Sequence, residues 1–406
     1  MDIDLTDLDR FAHGFPHDDF TRLRRERPVW FHPPTPHAPG GEGFWVLTRH
    51  ADIVAAATDA ATFSSHTGGG RDGGGTLIED LPSGFAAGVL LNMMDDPRHR
   101  LIRRIVAPAV SPRMMRELED ELCHRTAAIL DDVLARPTCD FLIEVAAELP
   151  LQAIAKLLGV PQADRHQLFG WANATLDYDD RDLGAMSEKS AAAGAEMFAY
   201  GSRLIEEKRR APGDDLLSAV VHGDVSAGEP ITELELQMFF NLLVHAGSET
   251  TRNSLALGVL ALIERPAAWE RLRAEPALLP TAVEEILRWA SSTPYNRRTA
   301  TRDMVVGGET IRAGDKVTLW WASANRDEAV FAAPFELDVA RAPNPHLAFG
   351  HGAHFCLGAA LARLEIRVVL EALLSRCRVI ESAGPVEWTR SNKHTGLRHM
   401  PVALRC

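Results

Sequence analysis

The chain has 406 residues, 46% of them hydrophobic, and a net charge of −13 from 56 acidic and 43 basic side chains. That is enough apolar chain for a large buried core, and the acidic balance excludes nucleic acid as a partner, because neutralising phosphates takes a basic surface. Five cysteines, Cys123, Cys139, Cys356, Cys377 and Cys406, are scattered and odd in number, which suits a reducing compartment better than a disulfide framework. No apolar run reaches the ~18 residues of a membrane span. The opening MDIDLTDLDRFAH lacks the basic and apolar regions of a signal peptide, so a cytoplasmic protein without a membrane anchor is expected. No linker, repeat or low-complexity tract divides the sequence, and residues 1–406 are expected to form one domain.

Residues 1–43 hold short helical pieces and a Pro/Gly-rich loop. GFWVLTRH then predicts a strand and ADIVAAATDA a short helix, together a small β-rich lobe with a packing role. From Phe63 to Leu91 the chain is glycine-rich and aperiodic, which predicts a mobile loop; it lacks the G-K-[ST] of a phosphate cradle. In MMDDPRHRLIRRIVAPAV, Asp95, Asp96 and Pro97 mark a helix start, and His99 and Arg103 fall on one face. Spacing alone leaves open a solvated basic face. Helical patterns then run from Arg113 to Arg210, with breaks near Pro137, Pro150 and Pro161 and a connection near Tyr178 to Gly184. Trp171 and Leu176 read as core, with substrate contact as the alternative.

Ile231–Glu264 is apolar almost all round and exceeds thirty residues, so it predicts a central buried helix. Inside it stands Ala246-Gly247-Ser248-Glu249-Thr250-Thr251. Glycine, a carboxylate and hydroxyls all destabilise a buried helix, and a local breach of the folding rules points to a functional site or a kink. In TAVEEILRWASS, Glu285 and Arg288 are three apart, the spacing of an ordinary helix pair. STPYNRRTA leads into strands over VVGGETI and DKVTLW, and the tail TGLRHMPVALRC also predicts strands.

The stretch FGHGAHFCLG, Phe349 to Gly358, leads into a long amphipathic helix and places Cys356 at its mouth. A thiol at a helix N-terminus is expected to have a lowered pKa and to serve as ligand or nucleophile. Gly350, Gly352 and Gly358 permit a tight turn beside a flat group, and Phe349 can shield the sulfur. Zinc is a reading because His346, His351 and His354 are near, but the spacing fits no zinc pattern. A nucleophile needs a base and an oxyanion site, to which nothing else in the chain points. The third reading is a thiolate ligand to haem iron.

This stretch resembles the haem-binding signature of the cytochromes P450, F-G-x-G-x-H-x-C-x-G, at every fixed position. The resemblance extends to H-x-x-x-R at His99 and Arg103, to A-G-x-E-T-T from Ala246, and to E-x-x-R at Glu285 and Arg288, and so covers nearly the whole chain. It implies a mainly α fold, with a large helical domain and a small β-rich lobe, holding haem b with Cys356 on the iron. His99, Arg103, Arg298 and His354 are then propionate contacts, with Arg297 the lesser candidate, and Phe349 and Gly358 frame the proximal side. Ala246 and Gly247 mark where the central helix opens for O₂, Thr250 bonds the dioxygen, and Glu249 feeds it protons. Glu285, Arg288 and Arg341 form a buried structural cluster. The loop 63–91 and the 178–184 connection lie over the substrate channel, which Leu243, Thr293, Pro294, Tyr295 and Thr395 line.

The reaction so implied is monooxygenation of a hydrophobic small molecule: a steroid, terpenoid, branched lipid or polyketide-like product, as in actinobacterial members. A tailoring oxidase performing epoxidation or oxidative coupling is the alternative. A peroxide-driven peroxygenase and a haem sensor are the rivals that Glu249 and Thr250 argue against. The chain ends about 50 residues after Cys356, so no fused reductase is expected. Electrons then come from NAD(P)H through a ferredoxin reductase and a ferredoxin. The ferredoxin would dock on Arg103, Arg104, Arg113, Arg363 and Arg367 of a monomeric enzyme.

Overall fold

A computed structural model describes residues 3–176, 187–223 and 229–406. The described residues form α1 (His17–Glu26), α2 (His50–Thr58), α3 (Arg98–Val106), α4 (Pro112–Leu134), α5 (Glu148–Leu158), α6 (Arg165–Leu176) and α7 (Glu188–Arg210). They continue with α8 (Leu216–Val221), α9 (Glu233–Ile263), α10 (Pro266–Ala274), α11 (Leu279–Ala290), α12 (Trp321–Ala324) and α13 (Ala359–Arg376). The architecture is mainly α with a small β-rich lobe, and no described helix is long and apolar enough to cross a membrane.

α9 is the axis. Its 31 residues begin at a capping box, in which the Thr232 hydroxyl accepts the Glu235 N–H and the Glu235 carboxylate accepts the Thr232 N–H. A helix apolar on most of its circumference is stable only when packed on all sides. One core joins α4, α5, α9, α11 and α13 through Leu122, Leu149, Leu255, Ile286 and Leu364. A second joins α5 to α9 through Ile154, Leu204, Leu217 and Phe240.

The lobe is a five-stranded sheet in the order Val29–His32, Phe44–Leu47, Lys316–Leu319, Asn296–Ala300, Phe63–Ser64. Val317 pairs with Arg298 and Leu319 with Asn296, a register that fixes which arginine faces which side. The tail strands are Leu397–His399 and Pro401–Arg405, the latter paired with Val379–Ser382.

Four expectations need correction or limits. The break expected near Pro150 falls at Ala147, between a π-helical turn over Leu142–Ala146 and α5; Pro150 itself lies in the first turn of α5. α9 runs helical through Ala246 and Gly247 without opening. There the Ser248 and Thr250 hydroxyls donate to the carbonyls of Val244 (2.7 Å) and Ala246 (3.0 Å), adding to the ladder instead of breaking it. The glycine-rich 63–91 loop is pinned: Arg71 (2.6 Å), Arg297 (2.7 Å) and Lys316 (3.2 Å) all grip Asp80, and the Arg297 N–H donates to Thr76 O. The connection expected at Tyr178 to Gly184 lies outside the described residues.

Candidate active site

The turn before α13 is built around backbone that only glycine can supply. Gly350 and Gly352 have φ of 71° and 74°, and a Cβ on Gly352 would stand 2.2 Å from Ala57 O at the end of α2. The Cys356 N–H donates to Phe349 O (2.9 Å), and Gly358 caps α13 with its Cα hydrogen facing the sulfur. Cys356 is surface-accessible, yet protein atoms ring the sulfur, and this enclosure pushes the thiol pKa up against the pull of the Gly358 N–H, Arg103 and Arg363. The lowered pKa expected from the helix terminus is thus corrected: desolvation outweighs the dipole. Coordination to a metal reverses the balance, since a metal-bound thiol is deprotonated outright.

Phe349 supports the turn from beneath, its ring 4.6 Å from the Arg363 guanidinium and 6.0 Å from Phe355. Arg363 in turn bonds Glu284 at 2.6 and 2.8 Å. His346 Nε2 meets the same carboxylate at 3.0 Å while its Nδ1 accepts the Ala348 N–H, so this histidine is committed to the scaffold and not to a zinc ion.

Beside the thiol two arginines and two imidazoles converge. The rings of His99 and His354 stand 4.1 Å apart, Arg103 donates to Phe355 O, and Arg298 donates to Arg297 O at 2.9 Å. Among the described residues, neither Arg103 nor Arg298 forms an ion pair with a carboxylate. Burial, then repulsion from Arg298, His99 and Arg103, pushes the His354 pKa down to about 2. Burial also lowers Arg298 to about 10, and it lowers His99 and Arg103 as well. His99 Nε2 is buried without a hydrogen-bond partner. A concentration of buried positive charge with an orphaned nitrogen is the environment of a bound anion.

Strand geometry decides between the two neighbouring arginines, because consecutive side chains point to opposite faces. Arg297 is spent on Asp80; Arg298 faces the cluster. The donor set fits iron protoporphyrin IX: His99, Arg103, Arg298 and His354 would hold its propionates and Cys356 its iron.

On α9, Leu243, Ala246, Gly247 and Thr250 share one face by their helical spacing and stay partly accessible, whereas Val244, Ser248, Glu249 and Thr251 are buried. A Cβ on Gly247 would lie 2.9 Å from Ile154, so this glycine also permits close packing on α5. Glu249, 2% exposed, sits between Arg252 Nη2 (3.6 Å) and His394 Nδ1 (3.4 Å). Sequence reading missed both partners. It also missed Glu365 on α13, which accepts a hydrogen bond from Thr251 and whose pKa burial raises to about 8. The signal for Glu365 was present: it falls in the apolar stripe with Leu361, Leu364 and Val368.

Glu285, Arg288 and Arg341 come together as one buried cluster: Arg288 forks onto Glu285 at 2.7 and 2.8 Å, and Arg341 Nε reaches it at 3.0 Å. Thr293 is half-buried, Pro294 O accepts the Ala322 N–H (3.1 Å), and the Thr395 N–H donates to Ser292 O (2.9 Å), which brings the tail to this segment. Tyr295 is no substrate contact. Its ring is fully enclosed, 4.6 Å from Trp320 in the lobe core with Phe11 and Phe20, because it shares the strand face of Arg297. Trp171 is buried and donates to Glu196 (2.7 Å), a core role. The basic docking patch is also reduced: Arg113, Arg363 and Arg367 are paired with Glu117, Glu284 and Glu119, leaving Arg104 exposed on α3.

Residues 147–402 match the family model for cytochrome P450. A Mycobacterium tuberculosis protein named cytochrome P450 126 is 50% identical over 99% of this chain and 97% of its own length. A methyl-branched lipid omega-hydroxylase from the same organism is 40% identical over 99% of this chain and 94% of its own. Among solved structures, Mycobacterium marinum CYP268A2 in complex with pseudoionone aligns with a TM-score of 0.90 at 35% identity, covering 100% of this chain and 99% of that one. The thiol turn and the unbalanced cations around it thus have a shared origin, and this chain belongs to the cytochrome P450 family of haem-dependent oxidoreductases.

Proposed function

We propose that this P450 monooxygenase hydroxylates an aliphatic carbon of a branched lipid, steroid or terpenoid, with Glu249 and Thr250 supplying protons and a ferredoxin supplying electrons. The observation that carries the reading is the α9 face: a partly accessible strip of Leu243, Ala246, Gly247 and Thr250 with the buried Glu249 carboxylate behind it. Bound haem supplies the iron chemistry that converts R–H, O₂, two electrons and two protons into R–OH and water. The chain's own residues do the rest. Apolar Leu243 and Ala246 select a hydrophobic substrate and exclude water. The Thr250 hydroxyl, adjacent to Glu249 in sequence, turns from its bond to Ala246 O to serve as a proton donor at the strip, and Glu249 replaces that proton from the side of Arg252 and His394. Lipid substrates are supported by the hydroxylase relative, and a basic docking point for ferredoxin by exposed Arg104 beside Arg103, which bonds the Cys356 loop.

The test is haem-loaded protein with NADPH, ferredoxin reductase and ferredoxin under ¹⁸O₂, against a panel of methyl-branched fatty acids, sterols and terpenoids. Product carrying one ¹⁸O is expected, falling at least tenfold relative to electrons consumed in Thr250→Ala and Glu249→Gln. Product formed equally well from hydrogen peroxide alone, and unaffected by either substitution, would replace this reading with a peroxygenase. A carbon monoxide difference spectrum lost in Cys356→Ser checks the thiolate.

A further inference from the structure

A polar link between α9 and α6 lies outside the residues used so far. His245 stands one turn before Glu249. Its Nδ1 is 2.7 Å from Asn241 O, and its Nε2 is 2.6 Å from the hydroxyl of Thr175, near the end of α6. The same Thr175 oxygen is 2.8 Å from Ala172 O. A carbonyl oxygen can only accept, so Nδ1 carries a hydrogen, and the Thr175 hydroxyl has a single hydrogen to give. If that hydrogen goes to Ala172 O, Nε2 must donate as well and the ring is an imidazolium. If the ring is neutral, the hydroxyl must turn toward Nε2, leaving two oxygens facing each other at 2.8 Å with no hydrogen between them. The chain Asn241–His245–Thr175–Ala172 therefore closes only around the cation.

We propose that His245 is a proton-controlled positioning residue, whose imidazolium fastens α6 to α9 and whose neutral form gives up one bond of that link. The charged groups around it are few. Glu249 on α9 favours the cation; Arg252, also on α9, is directed to Glu249 and to Asn173 Oδ1 of α6 (3.3 Å). α6 offers the neutral Thr175, and α7 offers Ser190, whose hydroxyl bonds Thr175 O (3.0 Å). Burial acts in the opposite direction and lowers the imidazole pKa, with Asn241 O and Glu249 resisting. The link thus tightens on acidification. α6 meets α9 through His245 and Arg252, on the side of the helix away from Ala246 and Thr250, so the link is read at α6 itself.

The experiment compares haem-loaded wild type with His245→Gln, whose amide can donate to Thr175 at any pH, and His245→Leu, which has no donor. Hydrogen-exchange protection of amides 172–176, corrected for intrinsic rates, is read at about pH 4.5 and about pH 7.5, because burial moves the His245 titration below the ordinary imidazole range. Wild-type protection should rise about fivefold on acidification, as befits one hydrogen bond. His245→Gln should stay protected and His245→Leu unprotected at both pH values. Thr175→Val, which leaves the histidine in place, should abolish the response if the His245 variants fold poorly. Equal, pH-independent protection in wild type and His245→Leu overturns the proposal. The exchange readout needs no turnover, so absence of product with an intact pH response would count against the monooxygenase reading alone.

Discussion

The molecule buries two clusters of charged side chains and supplies a bonded carboxylate to the arginines of only one of them. Around Glu285 each group is answered by the chain. Both carboxylate oxygens accept from Arg288, one also from Arg341 and Asn344, and other guanidinium hydrogens go to the carbonyls of Asn325, Pro334, Glu336, Ala332 and Ala333. Around His354 the chain gathers His99, Arg103 and Arg298 and bonds no carboxylate to either arginine; burial lowers the pKa of all four, and arginine repulsion adds to the drop at the two histidines. The first cluster serves the fold, while the second is complete only with a ligand that brings negative charge.

The comparison is tested most severely at Glu285. Glu285→Ala strands Arg288 and Arg341 in the interior, which costs about 3–5 kcal/mol, a large part of a domain's stability. No soluble folded protein is expected by circular dichroism, with or without added haem. A folded Glu285→Ala protein with a near-normal melting temperature would remove the distinction between the clusters.

Glu365 is a third arrangement, a buried carboxyl with a hydroxyl for company and no cation. Its folded pKa of about 8 lies above the ordinary 4.5, so between those values the unfolded chain has lost a proton that the native state keeps. Stability therefore falls as pH rises through that window and levels above it. Glu365→Gln does not titrate, and its advantage over wild type should grow from pH 5 to 8, reaching on the order of a few kcal/mol. Parallel melting curves at every pH would show that Glu365 is charged and paired in the native state.

At the unbalanced cluster the sign changes with the ligand. Arg298→Leu removes a buried cation that lacks a carboxylate, so the haem-free protein should gain about 1 kcal/mol in urea unfolding. If Arg298 holds a haem propionate, the same change removes that partner, and haem transfer to apomyoglobin should speed about tenfold, as expected for the loss of one charge-assisted bond. Loss of stability in the haem-free protein would place Arg298 with the scaffold.

Much of this was legible in the sequence because the chemistry is local there. The Cys356 turn, the 31-residue α9 and the pair Glu285–Arg288 each lie within one continuous stretch, where spacing alone sets the geometry. What was not legible depends on long-range contacts. The partners of Glu249 include His394, far along the chain, and the Asp80 grip that pins the 63–91 loop comes from Arg297 and Lys316. Tyr295 was misplaced for a related reason: one residue of strand alternation carries a side chain from the pocket to the lobe core. The Cys356 pKa turned on enclosure, which no local rule reports.

The smallest effect isolates what makes the Glu285 cluster costly to break. Arg367 is also matched, at 2.5 Å to Glu119 and 3.4 Å to Glu371, but at the surface, where water solvates whichever partner remains. Arg367→Ala should change stability by no more than about 0.5 kcal/mol, and added salt should shrink even that. Urea unfolding of wild type and variant at low and high ionic strength measures both. If Arg367→Ala were as damaging as Glu285→Ala, pairing itself would be the stabilising factor. A near-neutral result instead assigns the cost at Glu285 to burial, because a guanidinium left there has no solvent to turn to.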